Sequence, residues 1–153
     1  MIKGLGHLAI RAKNIEETAK FYREAVGLKE AFRMFNGDGG KLSTIYMYIA
    51  PSQFIEIFPD GTGEQSGNDT VGIKHICIEV YDAAKFQEEL RARGIPIDRE
   101  LKTGFSKCLQ FWIHDPDGVN IEFMELPPES LQAQANKRIA DEEKQGTAGA
   151  KNQ

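Results

Sequence analysis

Apolar and polar residues alternate in short runs along most of the chain, and turn residues separate the runs. Residues 4–11 (GLGHLAIR) alternate in this way, which is typical of a half-buried strand. Asn14 then provides a helix N-cap with Glu17 three positions further on, and Gly27 is well placed to end that helix. Three further runs are predicted as strands, at residues 28–35, 41–50 and 53–58.

The same order of elements returns in the second half of the chain. Residues 73–80 (IKHICIEV) predict a strand, and Asp82 is placed to cap a helix that ends at Gly94. Because both halves run strand, helix and then three strands, the sequence predicts an α+β fold of two βαβββ modules, at residues 3–58 and 73–126. The last three strands of the second module are predicted at residues 97–103, 108–114 and 119–125.

We expect the two modules to form one domain at residues 1–126. Residues 59–72 (PDGTGEQSGNDTVG) are rich in Gly, Asp and Ser and are predicted to link the modules. A proline pair ends the second module. The C-terminal region, residues 127–153, is predicted to contain a surface helix at 129–144 followed by a flexible tail.

Two histidines and two glutamates occupy equivalent positions in the two modules. Glu56 follows His7 by 49 residues, and Glu122 follows His75 by 47. Strand alternation places all four side chains opposite the apolar residues that meet the helices. Two imidazoles and two carboxylates suit a divalent first-row metal, such as Ni, Zn, Co, Mn or Fe. The repeat therefore predicts one divalent metal ion held by these four side chains.

A metal with four protein ligands keeps two positions of an octahedral shell for water or for two neighbouring substrate oxygens. It would act as a Lewis acid on a carbonyl and stabilise an enediolate. Either Glu56 or Glu122 is then expected to act as the general base that moves a proton between neighbouring carbons. The near-symmetry of the two modules leaves the choice between them open.

Other polar and aromatic residues belong to the same strand faces. Alternation places Arg11 on the face of His7, roughly 6–7 Å along the strand, where a guanidinium can bind a carboxylate bidentately. The alternative is that Arg11 pairs with an acid at the strand end. Tyr46 and Tyr48 share one strand face, at either the cleft or its rim, and Trp112 fits either the cleft or the core.

Composition excludes several classes of partner. The net charge is −4 and no basic stripe is present, which argues against nucleic acid. No apolar run has membrane length and no signal-peptide pattern begins the chain, so we expect no membrane partner and a cytoplasmic location. Cys77 and Cys108 are too few and too far apart for a disulfide framework or a zinc knuckle.

Over about residues 3–126, the sequence resembles the vicinal oxygen chelate superfamily and, within it, the glyoxalase I (lactoylglutathione lyase) family. The matching stretches are GHLAIRAKNIEETAKFYREAVGLK, QFIEIF, KHICIEV and WIHDPDGVNIEFMEL. The resemblance implies a U-shaped, partly open eight-stranded barrel around the metal. It also implies the same four ligands, with Glu122 favoured as the base.

The resemblance also implies an activity. It indicates a metal-dependent lyase or isomerase that transfers a proton through an enediolate, on a 2-oxoaldehyde–thiol adduct or a related small carbonyl compound. Extradiol dioxygenases are similar in fold but have no counterpart of Glu56, and methylmalonyl-CoA epimerases usually have Gln there. A metal-dependent epimerase and a non-catalytic drug-binding protein are the alternatives.

Two further expectations concern the thiol and the assembly. Arg11 matches an arginine that binds a glutathione carboxylate in glyoxalase I, whereas Asp60 stands where that family has Asn. A glutathione adduct is therefore an expected substrate class, and Asp60 is the one departure from the family's residue pattern. A half-open barrel leaves unpaired sheet edges, so we expect a homodimer.

Overall fold

A computed structural model describes residues 2–65, 67 and 69–149. The first helix, Ile15–Lys20, continues directly into a π-helical segment, Phe21–Val26. The other elements agree in type with the sequence prediction. In chain order they are β1 (His7–Arg11), α1 (Ile15–Lys20), β2 (Lys29–Phe35), β3 (Leu42–Ala50), β4 (Gln53–Phe58), β5 (Ile76–Glu79), α2 (Ala83–Ala92), β6 (Arg99–Thr103), β7 (Leu109–His114), β8 (Asn120–Glu125) and α3 (Leu131–Gly149).

The strands form two four-stranded sheets, in the orders β1-β4-β3-β2 and β5-β8-β7-β6. The first strand of each module lies parallel to the last, β1 with β4 and β5 with β8. The pairs β2–β3, β3–β4 and β6–β7 are antiparallel. Both sheets are therefore mixed, which confirms the α+β class and the repeated βαβββ order. The eight strands form two sheets and not one closed barrel.

The chain divides into two compact units whose boundary differs from the module boundary. The first unit contains the first sheet and its helix, together with Arg93–Ile95 and His114–Asn120. The second unit contains α2, most of the second sheet and α3. The turn that joins β7 to β8 therefore packs in the first unit, although it lies in the second half of the sequence.

Helix α1 forms where the sequence predicts it. The side chain of Asn14 accepts a hydrogen bond from the backbone N–H of Glu17 at 3.3 Å, which satisfies a donor at the helix start. Gly27 ends the π-helical segment with φ of 90°, a left-handed conformation that favours glycine. The segment buries Tyr22 completely, and α1 packs against β3 and β4. This covers one face of the first sheet.

An aspartate from the β7–β8 turn is buried in the first unit. Asp115 is 1% exposed, and its Oδ1 accepts the backbone N–H groups of Asp117 and Val119 at 2.9 and 2.8 Å. Its Oδ2 accepts the Tyr22 hydroxyl at 3.2 Å. Burial raises the pKa of Asp115 despite these donors, and burial with the nearby carboxylate raises the pKa of Tyr22.

A second aspartate of this turn holds the start of α1. Asp117 Oδ2 accepts the Thr18 hydroxyl at 2.8 Å, and its Oδ1 accepts the backbone N–H of Lys13 at 3.0 Å. The sequence identifies DPDG as a turn, and the structure adds that both of its aspartates bind groups about one hundred residues earlier in the chain.

Asp115→Ala is expected to lower the free energy of unfolding by about 1–3 kcal/mol, because it removes the acceptor of the buried Tyr22 hydroxyl. Asp115→Asn keeps an acceptor for the turn and should cost less. The pKa of Asp115 is higher in the folded state than in the unfolded state. The carboxyl of Asp115 therefore lowers the free energy of unfolding as the pH rises through its folded-state pKa. The Asn variant should therefore cost less at pH 7 than below pH 4.

Urea unfolding at the two pH values measures both effects. Asp38→Ala, which changes an exposed aspartate in the β2–β3 turn, is the control. Equal losses in the Asp115→Ala and control variants would contradict the role given to Asp115.

The second unit is built around an aromatic cluster under α2. Asp82 caps this helix by accepting the backbone N–H of Lys85 at 2.9 Å. The Phe86 ring then lies 4.9 Å from that of Phe123, which stacks on Phe111 at 5.1 Å. These contacts cover one face of the second sheet, and β-strand alternation directs Glu122 to the other face.

Helix α3 is longer than the sequence predicts. It begins after Ser130, whose hydroxyl accepts the backbone N–H of Ala133 at 3.2 Å, and it ends at Gly149. Gln, Ala, Glu and Lys are frequent between residues 131 and 144 and favour helix, and the helix continues beyond them into the range predicted as a flexible tail. Residues 150–153 of that tail lie outside the described residues. None of the described helices is long and apolar enough to span a bilayer.

Candidate functional site

The first predicted pair of ligands is in contact in the first sheet. In the parallel pair of β1 and β4, His7 is opposite Phe54 and Ala9 is opposite Glu56. This register brings Nε2 of His7 to 3.2 Å from Oε2 of Glu56. The Glu56 side chain is 10% exposed and that of His7 is 51% exposed. A buried carboxylate and an accessible imidazole therefore meet on the face that α1 does not cover.

Tyr46 binds the other oxygen of Glu56. The two residues are directly opposite in the β3–β4 pair, and the Tyr46 hydroxyl donates a hydrogen bond of 2.6 Å to Glu56 Oε1. This bond raises the pKa of Tyr46, so its hydroxyl stays a donor at neutral pH. Both carboxylate oxygens of Glu56 are thus engaged, one by Tyr46 and one by His7.

Aromatic rings surround this carboxylate, and we call Phe32, Tyr46, Tyr48 and Phe54 the aromatic strip. Phe32 stacks on Tyr46 with ring centroids 4.3 Å apart, and Phe54 meets the edges of both tyrosines at 6.1 and 5.8 Å. Phe32 is 47% exposed. The strip gives the face of Glu56 an apolar lining, which is typical of a small-molecule site.

The second predicted pair has the same strand register. His75 directly precedes β5, and in the parallel pair of β5 and β8 Cys77 is opposite Glu122. In each module, therefore, the glutamate is opposite the residue two positions after the histidine. Glu122 is 7% exposed, so both candidate carboxylates are buried.

Cys77 lies beside Glu122 on the second sheet. Partial desolvation and the neighbouring carboxylate raise the pKa of the Cys77 thiol to about 12. A thiol with this pKa is protonated at neutral pH and is a poor nucleophile.

The donor geometry of the first pair fits a metal. Two cis ligands, each about 2.1 Å from an octahedral ion, lie about 3 Å apart. The 3.2 Å between His7 and Glu56 is close to this value. Across residues 2–65, 67 and 69–149, no three His, Cys, Asp or Glu side chains are grouped closely enough to hold an ion. The complete set of four ligands therefore stays a prediction.

Arg11 makes local contacts at the end of β1. Its Nη1 donates a hydrogen bond of 2.9 Å to the carbonyl of Pro59, and its guanidinium lies 5.6 Å from the centre of the Phe58 ring. Asp60 forms an ion pair with Lys41 at 2.7 Å. Asp60, an acid just beyond the end of β4, is therefore paired with a lysine.

Trp112 of the second sheet makes a cation–π contact with an arginine. The guanidinium of Arg99 lies 5.1 Å from the centre of the indole, and the two residues are opposite each other in the β6–β7 pair. Trp112 is half-buried. This partial burial lies between the two positions that the sequence allowed, the cleft and the core.

Comparison with known proteins identifies the family. The model of the Glyoxalase/Bleomycin resistance protein/Dioxygenase superfamily matches residues 4–123. The chain belongs to this superfamily. The match includes both His/Glu pairs and ends in β8, and it confirms the resemblance to glyoxalases.

Relatives within the superfamily differ in what is known of them. A lactoylglutathione lyase of Arabidopsis thaliana is 28% identical over 127 residues, which are 80% of this chain and 44% of that protein. The chain thus spans less than half the length of this plant relative. The uncharacterized protein YwkD of Bacillus subtilis is 27% identical over 130 residues, which are 82% of this chain and 98% of YwkD.

Solved structures of glyoxalases share the fold. A glyoxalase family protein from Enterococcus faecalis has 25% identity and a TM-score of 0.67, over 80% of this chain and 98% of its own. The trypanothione-dependent glyoxalase I of Leishmania major has 25% identity and a TM-score of 0.64, over 95% of this chain and 99% of its own.

Proposed function

We propose that the protein is a metal-dependent lyase or isomerase similar to glyoxalase I. Its substrate would be a 2-oxoaldehyde–thiol adduct or a related small carbonyl compound. The observation that supports this most is the shared register of the two pairs, in which Glu56 and Glu122 are both buried and each is opposite the residue two positions after a histidine.

The proposed ligands are His7, Glu56, His75 and Glu122, which would hold one divalent ion. Burying two carboxylates is costly unless a cation compensates their charge, and a 2+ ion would do so. When bound, the ion would supply Lewis acidity that polarises the substrate carbonyl and acidifies the neighbouring C–H. Ni, Zn, Co, Mn and Fe all suit a set of two imidazoles and two carboxylates.

The two glutamates are proposed to have different roles. Both oxygens of Glu56 are engaged by Tyr46 and His7, which suits a residue that stays in place as a ligand. We assign Glu122 as the base. It would take the proton from the carbon beside the carbonyl and return it to the adjacent carbon, so the reaction needs no oxidant or reductant.

We also propose that two copies of the chain form a homodimer. Strand β2 is at an edge of the first sheet, and it exposes Phe32, Met34 and Phe35 by 44–54%. Exposed apolar edge strands are a liability in a monomer. In such a dimer, a His/Glu pair of one copy could also lie beside the other His/Glu pair of the second copy. Sedimentation at micromolar concentration should give twice the 17.1 kDa chain mass, and a monomer would contradict this.

Arg11 is proposed to bind the anionic end of the substrate. Arg11→Ala should lower kcat/KM about 10-fold or more for an adduct with a carboxylate, because a guanidinium hydrogen bond to a charged group is lost. Metal content and melting temperature should change little. The control is Arg23→Ala, which removes a guanidinium from the π-helical segment. Unchanged kinetics in the Arg11 variant would make Arg11 structural.

Metal analysis coupled to a turnover assay tests the proposed function. The purified chain should contain one divalent ion, and it should convert the adduct of methylglyoxal and glutathione only when metal is present. Chelation should abolish turnover, and a divalent ion should restore it. Stoichiometric metal without turnover of thiol adducts or of related small carbonyl compounds would contradict the proposed substrate class.

A further inference from the structure

The hydrogen bond between Tyr46 and Glu56 suggests a role that the four-ligand set does not include. A metal-ligating side chain is generally held by an outer partner that fixes which of its atoms faces the ion. Tyr46 donates to Glu56 Oε1 at 2.6 Å, while His7 approaches the other oxygen, Oε2, at 3.2 Å. The phenol therefore occupies one oxygen and directs the second toward the imidazole.

The surroundings of Tyr46 hold its hydroxyl in place. Its ring stacks on Phe32 at 4.3 Å and meets the edge of Phe54 at 6.1 Å, so the aromatic strip restricts the side-chain torsions. The backbone adds to this, because Tyr46 and Glu56 are directly opposite in an antiparallel pair. The donor is thus fixed by the sheet and by two rings before any ligand binds.

The phenol of Tyr46 has no counterpart at the equivalent position of the second module. Glu122 follows Glu56 by 66 residues, and the residue 66 positions after Tyr46 is Trp112. A phenol in the first module is therefore replaced by an indole in the second. The two buried glutamates are equivalent in strand register but have different neighbours.

We propose that Tyr46 is a positioning residue, which binds Oε1 of Glu56 and so holds the carboxylate with Oε2 toward His7, where Glu56 would help to hold the metal. This inference rests on the proposed metal-dependent function. It predicts that the phenolic hydroxyl contributes to metal affinity only through Glu56. A substitution that removes the hydroxyl and keeps the ring therefore isolates this contribution.

The test measures the dissociation constant of Co²⁺ or Zn²⁺ by competition with a chelator. Tyr46→Phe keeps the stacked ring and removes the donor, and it should weaken metal binding about 10–100-fold. Tyr48→Phe is the matched control, since it removes a hydroxyl from the same strand face two residues away. Its metal affinity should stay within about twofold of wild type, because the Tyr48 ring meets Phe54 and not Glu56.

A double-mutant cycle then asks whether Tyr46 acts through Glu56. Adding Tyr46→Phe to Glu56→Ala should weaken metal binding further by less than about twofold, because the side chain that Tyr46 orients is already gone. The melting temperature of Tyr46→Phe should match that of Tyr48→Phe, which separates a loss of metal affinity from a loss of folding.

Three results overturn the inference. They are an unchanged metal affinity in Tyr46→Phe, an equal loss in Tyr48→Phe, and a full additional loss in the Glu56→Ala background. A wild-type chain that binds no divalent metal would instead refute the proposed function itself, and the inference with it. The wild-type titration therefore separates the two failures.

Discussion

Glu122→Gln is expected to lower kcat by about 10²–10⁴-fold while the chain still binds one divalent metal, because an amide oxygen can remain a ligand but cannot accept the substrate proton. The variant keeps the size and the strand position of Glu122, so β8 should stay paired with β5. Metal analysis and steady-state kinetics on the same preparation measure the two effects separately.

Glu79→Gln is the control for this prediction. Glu79 is an exposed glutamate of β5, two residues beyond the position opposite Glu122, and its amide should leave kcat near the wild-type value. If Glu122→Gln instead kept near-normal turnover with metal bound, Glu122 would not be the base and Glu56 would become the candidate.

The second large effect is expected from His75→Ala, which should remove both the metal and the activity while the chain stays folded. One of four ligands is lost, and the two buried carboxylates then hold the ion without one of their imidazole partners. Metal content after dialysis, turnover and circular dichroism report the three outcomes.

His114→Ala serves as the comparison, since His114 is exposed at the end of β7. That variant should bind metal and turn over substrate as the wild type does. Full metal occupancy in His75→Ala would refute the assignment of the second pair, and a parallel test of His7→Ala would do the same for the first.

The sequence predicted most of the fold because the alternation of apolar and polar residues in its strands is clear and the order of elements repeats in its two halves. Strand β4 lies at the predicted residues 53–58, and the cap of α1 at Asn14 is formed as expected. Strand β5 was predicted over residues 73–80 but is shorter, because its ladder with β8 begins only at Ile76. Alternation shows which residues can be strand, while the partner strand decides how many of them pair.

The sequence did not predict the contact between Tyr46 and Glu56. A regular β3–β4 hairpin that pairs Ala50 with Gln53 would put residue 46 opposite residue 57, and a register shift between Tyr48 and Ala50 moves Tyr46 opposite Glu56. Predicting it requires the exact turn geometry, which a Pro-Ser pair does not fix. The two aspartates of the DPDG turn were missed as anchors for another reason. Their partners are about one hundred residues away in the chain. The local pattern of apolar and polar residues gives no information on contacts at such a separation.

That turn also has a consequence for how the chain folds as it is synthesised. The hydroxyls of Tyr22 and Thr18 donate to Asp115 and Asp117. Contacts of such large sequence separation slow folding, because the intervening chain must first be ordered. During synthesis, α1 would leave the ribosome long before Asp115 and Asp117. The first module would therefore complete its folding only after most of the second module is translated. We therefore expect fragments that end at the linker to be caught by chaperones and proteases, although they contain a complete βαβββ unit.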